Sequence, residues 1–161
     1  MQVLIMRHGQ AVDAYAATSD AQRHLTALGR RQSVGVARGL HGQGLVPTHV
    51  YTSPLVRAVQ TAEAVAHALD LDVPIPAHAP LVPGSASASA LSVLDAHADG
   101  DRVLLVSHEP TVRVLGGFLG QLELPPFPTS GVAVFDIGES RRFLGRLDPE
   151  RGWRPPDDLG Y

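Results

Sequence analysis

The 161-residue chain has no cysteine. That single absence excludes disulfides, thiolate metal sites and cysteine-based phosphoryl transfer. Lysine and asparagine are missing as well, so all 13 basic residues are arginine. Codons for both residues are A/T-rich, and a GC-rich genome accounts for the bias; a thermophilic host is the second account, since loss of Asn and Cys is one thermophile trait. Excess positive charge is absent too. A formal net charge of −3 argues against a nucleic-acid partner, which calls for a basic surface. No apolar run approaches the roughly 20 residues of a spanning helix, so no membrane partner is expected. The N-terminal apolar stretch is too short for a signal peptide and runs straight into Arg7. A cytoplasmic protein is the expectation.

What is present fits a globular chain. Hydrophobic residues make up 44% and the mean hydropathy is +0.04, outside the range of disordered sequences. The length predicts one domain over 1–161, large enough to bury a core without staples. QVLIM (2–6) reads as a short buried strand and residues 10–24 as a polar connection. Thr26 precedes a helix carrying Leu28, Val34, Ala37 and Leu40, which ends in HGQG. THVYTS (48–53) predicts a second strand. The strongest helix pattern follows, with Ser53 as N-cap, Pro54 in the first turn, and Val56, Val59, Ala62, Ala66 and Leu69 at helical spacing.

Residues 72–84 read as proline-rich and irregular, with room for a short strand, and 85–98 as a helix with a soft start. DRVLLVSH (101–108) is a continuous apolar strand of the kind covered on both faces. A helix over 111–120, a hairpin of 131–137 with 141–147, and an irregular tail complete the chain. Strand and helix alternate through about the first 120 residues. That implies an α/β fold, three layers with a mainly parallel central sheet, and ligands then bind outside the carboxyl ends of the strands.

Three strand ends carry unusual residues: Arg7-His8-Gly9, Ser53-Pro54 with Arg57, and Ser107-His108-Glu109-Pro110. A parallel sheet sets all three on one edge, with two histidines facing each other among arginines. Arg57 falls in the first turn of its helix, where a cation opposes the helix dipole. A residue that breaks a local rule marks a candidate site, and an anion bound there would meet the helix terminus, Arg57 and Arg7 together. His24, His41, His49, His67, His78 and His97 converge with nothing else in the sequence and read as surface or structural residues. Zinc on His8 and His108 is disfavoured, because no third ligand stands at a metal-like spacing and the arginines repel a cation. No metal or other cofactor is therefore expected. P-loop and kinase motifs are absent. Two histidines among arginines point instead to phosphoryl transfer through a neutral histidine nucleophile, with the arginines opposing its protonation and stabilising the transferring group.

LIMRHGQA, TSPLVRAVQTA and VSHEP, in this order and spacing, resemble the histidine phosphatase superfamily, whose fold is that of phosphoglycerate mutase. DAQRHLTALG resembles a fourth element of that family. The likeness covers residues 1 to about 120, and the length and opening are most similar to SixA-type phosphohistidine phosphatases. The resemblance implies that His8 attacks phosphorus and becomes phosphohistidine. It implies that Arg7, Arg23 and Arg57 hold the phosphoryl oxygens, that His108 donates from across the pocket, and that water releases inorganic phosphate.

One departure bears on the substrate. Many members carry a glutamate general acid in an insertion before the strand that ends in the second histidine. Here Val73 to Leu94 contains no Asp or Glu. An alkoxide leaving group needs a proton donor worth about 10²–10⁴-fold, whereas an imidazole leaving group needs less help. The missing acid and missing lid favour a phosphohistidine on a protein surface, such as a phosphotransfer domain. Glu109 is the candidate substitute acid, although neighbours on an extended segment point apart; Asp13 and Asp20 rank below it. Two alternatives stand beside this reading: a broad-specificity small-molecule phosphomonoesterase, and a non-catalytic phosphate-binding module.

Overall fold

The computed structural model describes residues 1–159. Its centre is a six-stranded sheet in the order β2-β3-β1-β4-β5-β6. The strands are β1 (Gln2–Arg7), β2 (His49–Thr52), β3 (Arg102–Ser107), β4 (Val132–Ile137), β5 (Arg141–Asp148) and β6 (Gly152–Arg154). The helices are α1 (Ala27–Gly42), α2 (Val56–Ala68), α3 (Ser87–Leu91) and α4 (Thr111–Gly120). Among the described residues, no helix is long and apolar enough to cross a membrane.

Strand alternation explains the layers. On one face Val3, Ile5, Val103, Leu105, Ala133 and Phe135 pack with Leu91 of α3 and with Val112, Leu115 and Leu119 of α4. On the other, Leu4, Met6, Val50, Leu104, Val106, Val132 and Val134 meet Val36, Ala37 and Leu40 of α1 and Ala58, Ala62 and Val65 of α2. Successive side chains of a strand point to opposite faces, so burial on both sides demands the continuous apolar runs of β1 and β3. The sheet is mixed. β2, β3 and β1 are parallel, while β4, β5 and β6 continue antiparallel.

Local chemistry sets the ends of the elements. Thr26 caps α1, its Oγ1 accepting the Gly29 N–H at 3.0 Å. Ser53 does not cap α2: the helix starts at Val56, behind Leu55 in an extended conformation. The serine hydroxyl accepts the Leu55 N–H at 3.3 Å but is committed to His108, described below. The helix expected over 85–98 is a single α-turn, α3, followed by a 3₁₀ segment over Ser92–Ala96. Its Ser/Ala run offers no capping bond and too few apolar side chains to hold a longer helix.

The tail is not wholly irregular. β6 pairs with β5, placing Trp153 opposite Leu147, and the indole packs on the core of the α1–α2 face. Gly145 permits this. Its φ of +142° and the 2.7 Å that a Cβ would leave to the Trp153 ring both exclude a larger residue. The last two residues of the expected tail lie outside the described part.

Candidate active site

The register of the parallel strands assembles the site. Arg7 is level with Ser107, and Thr52 with Val106. The ladder continues one residue past each strand: His8 N–H donates to Ser107 O at 2.9 Å and Ser53 N–H to Val106 O at 2.9 Å. Backbone pairing thereby sets His8, Ser53 and His108 side by side on the carboxyl edge. The two imidazole centroids are 5.0 Å apart.

His8 is held from two sides. Its Nδ1 lies 2.7 Å from Gly9 O, and a carbonyl only accepts, so Nδ1 carries the proton and Nε2 is left with a lone pair. The Gly9 N–H in turn donates to Thr61 Oγ1 at 2.9 Å, and that hydroxyl donates to Arg57 O at 2.7 Å. Helix α1 presses on the same backbone. A Cβ on Gly9 would sit 2.8 Å from Gly29 O, and one on Gly29 would sit 2.1 Å from Gln10 O. Both glycines are dictated by this close approach.

The arginines meet around an acid. Arg57, only 5% exposed, donates from one terminal nitrogen to Asp20 O at 2.8 Å and from the other to Asp20 Oδ2 at 3.2 Å. Arg23 reaches the same carboxylate at 3.1 Å and braces its Nε on Val12 O at 2.8 Å. Arg7 donates to Phe127 O at 2.6 Å. The Nε atoms of Arg7 and Arg57 are buried without a hydrogen-bond partner among the described residues. The Arg57 cation is thus paired by the carboxylate of Asp20. Its two contacts are of the kind a guanidinium makes with phosphoryl oxygens.

His108 is 2% exposed. Its Nε2 lies 2.7 Å from Ser53 Oγ, and its Nδ1 is buried without a partner. Both rings are strongly disposed to be neutral. Burial lowers His8 to about 4; the Gly9 carbonyl opposes this, and Arg57, Arg7 and Arg23 add to it. Burial likewise lowers His108 to about 3, reinforced by His8, Arg57 and Arg7 and opposed by Asp20. Desolvation outranks the arginines, which the sequence reading held responsible for keeping the ring neutral.

The candidate acids separate clearly. Glu109 is taken up by the chain: Oε2 accepts the Phe127 N–H at 3.4 Å, and Oε1 is 3.2 Å from Arg113 Nε. Asp13 accepts the exposed Tyr15 hydroxyl at 3.0 Å. Asp20, ranked below Glu109 from sequence, is the carboxylate that touches the arginines. Its hydrogen bond from Arg23 leads in holding it below the usual carboxylate range, with Arg57 assisting and burial opposing. Sequence reasoning also missed Ser53 as a partner of His108, Thr61 as a brace for the His8 backbone and the carbonyl of Phe127. Ser53 stood inside a quoted motif, but as a helix cap; the others gave no sequence signal.

Comparisons with known proteins bear on the family. A model of the histidine phosphatase superfamily (branch 1) matches residues 3–79. Phosphohistidine phosphatase SixA of Escherichia coli strain K12 is 37% identical over 147 residues, 87% of this chain and 88% of that protein. The structure of the protein histidine phosphatase SixA complexed with tungstate superposes with a TM-score of 0.83 at 35% identity, covering 92% of this chain and 97% of that one. A SixA structure from Agrobacterium tumefaciens gives 0.78 at 25% identity over the same shares. With the sequence likeness running nearly end to end and the same fold beneath it, the chain belongs to the histidine phosphatase superfamily.

Proposed function

We propose that this protein is a phosphohistidine phosphatase acting on phosphorylated proteins, such as a phosphohistidine-bearing phosphotransfer domain, with inorganic phosphate as product. The observation that carries the reading is the His8–Gly9 hydrogen bond, which leaves a neutral ring with Nε2 bare among three arginines. The end-to-end likeness to SixA supports the choice of substrate class.

The chemistry follows from that tautomer. Nε2 of His8 forms a bond to phosphorus as the substrate's P–N bond breaks. A substrate phosphohistidine protonated on its second ring nitrogen leaves as neutral imidazole, so no protein acid has to reach the breaking bond. Arg7, Arg57, Arg23 and His108 take the phosphoryl oxygens, with Asp20 yielding its two guanidinium contacts to the incoming anion. Water then attacks phosphorus, its protons staying with the released phosphate, and the P–Nε2 bond breaks. Gly9 O holds the proton on Nδ1 throughout, so His8 also departs as neutral imidazole. Stabilising the charge of the transferring group is the main contribution of such a site.

The test is rapid alkaline quench and mass spectrometry after mixing with a phosphohistidine-bearing domain. Phosphate is expected on His8, and His8→Ala is expected to abolish both the adduct and turnover. Wild-type activity in His8→Ala would overturn the mechanism. A comparable kcat/KM on sugar phosphates would favour the small-molecule phosphomonoesterase.

A further inference from the structure

The amino ends of β2 and β3 carry a second cluster of histidines, on the edge of the sheet opposite His8. His49 opens β2, and Asp101 immediately precedes β3. His97, at the end of the 3₁₀ segment, folds back between them. The His49 and His97 rings are 4.2 Å apart, and one donor atom from each of His49, His97 and Asp101 lies within 4.8 Å of the others. None of the three touches the phosphate-binding residues.

From the arrangement of these donors we infer a binding site for a divalent transition metal ion of the zinc type, held by His49, His97 and Asp101. Two imidazoles and a carboxylate are a donor set that Zn²⁺ accepts, with the fourth position left to water. His97 is prepared for the role. Its side chain is 6% exposed, and its Nε2 is 2.9 Å from the Tyr51 hydroxyl. With an ion on Nδ1, the atom 3.5 Å from Asp101 Oδ2, the remaining Nε2–H is directed at the phenol oxygen. Metal-ligating histidines are commonly oriented in this way by an oxygen on the other ring nitrogen.

Asp101 is positioned as well, accepting the Ala98 N–H at 3.0 Å. The cation next to it in the chain, Arg102, is turned away to Gln2 Oε1 at 3.1 Å and Val46 O at 3.1 Å. His49 and Asp101 are both partly exposed, with His49 Nδ1 3.9 Å from Asp101 Oδ1, and an ion bound between them would draw the donors together. An ion here ties the 97–101 turn to the start of β2.

The experiment is Zn²⁺ titration of chelator-stripped protein against a chromogenic chelator, with the melting temperature read in parallel. One ion per chain and a rise in melting temperature are expected for the wild type. His49→Gln and Asp101→Asn, which leave the Tyr51–His97 pair intact, should each weaken binding by about 10-fold or more and remove the thermal shift. His8→Ala should bind as the wild type does. No binding by the wild type, undiminished binding by both variants, or loss of the ion in His8→Ala would overturn the site, the last by placing the ion among the catalytic histidines. These outcomes are independent of the proposed phosphatase reaction.

Discussion

At the scale of single residues, the site depends on which atom each side chain leaves free. His8 spends Nδ1 on a carbonyl and keeps Nε2. Among the described residues, the buried Nε–H groups of Arg7 and Arg57 have no hydrogen-bond partner. Asp20 occupies two arginines with an exposed carboxylate. It is held below its usual pKa range, chiefly by Arg23, and an ionised acid has no proton to donate. Asp20→Asn should therefore lower KM for a phosphohistidine protein a fewfold, by removing a competitor for Arg57, with kcat unchanged. Steady-state kinetics decide the matter: a fall in kcat of roughly 10²-fold or more would identify Asp20 as the proton donor instead. His8, His108, Arg7 and Arg57 were legible in sequence because each stands in a short contiguous string at a strand end. Asp20 ranked low in the sequence, because its contact with Arg57 spans 37 positions and no periodicity reports such a pair.

At the scale of elements, the antiparallel half of the sheet explains what the hairpin and tail do. Arg146 on β5 forms a two-pronged ion pair with Asp148, at 2.8 and 2.9 Å. Both side chains are close to fully buried, at 6% and 5% exposed. The Arg146 guanidinium also donates to Pro125 O at 3.4 Å and Pro126 O at 3.3 Å and lies 5.6 Å from the centroid of the Phe127 ring. It thus supports the loop whose Phe127 carbonyl receives Arg7. Arg154 of β6 adds a third contact, 3.7 Å from Asp148. Removing one partner of a buried pair leaves an uncompensated charge, at a cost of about 3–5 kcal/mol. Asp148→Ala should lose stability on that scale in urea unfolding, whereas a surface ion pair contributes about 1 kcal/mol at most. A loss below 1 kcal/mol would show that the pair is not structural. The hairpin was predicted from two strand-like runs joined across Gly138-Glu139-Ser140, but β6 was not: a three-residue strand has no pattern, and it forms because Trp153 finds the surface opened by Gly145.

At the scale of the whole molecule, folding and function share the two buried histidines. Both titrate below the ordinary value of 6.5, His8 near 4 and His108 near 3. Their folded forms resist protonation, so the unfolded chain binds more protons and stability rises with pH in this window. Their contribution is complete above pH 6.5 and declines as pH falls toward about 4. Unfolding midpoints measured at neutral pH and near pH 4.5 should therefore differ more for the wild type than for His8→Gln. Equal acid sensitivity in the two proteins would contradict the neutral, buried state of His8.

By itself the sequence determined the α/β layering, the strands ending in Arg7-His8, Ser53 and Ser107-His108, and the family, because these rest on local periodicity and contiguous motifs. Only the tertiary structure decided that the sheet is mixed, that Ser53 serves His108 instead of capping a helix, and that Glu109 is engaged by Arg113 and Phe127 while Asp20 meets the arginines. It alone brought His49 and His97 together with Asp101. The physical reason is common to all of these. Hydrophobic pattern specifies which face of an element is buried, whereas a polar contact depends on which distant segment the packing brings within about 3 Å of a given donor or acceptor.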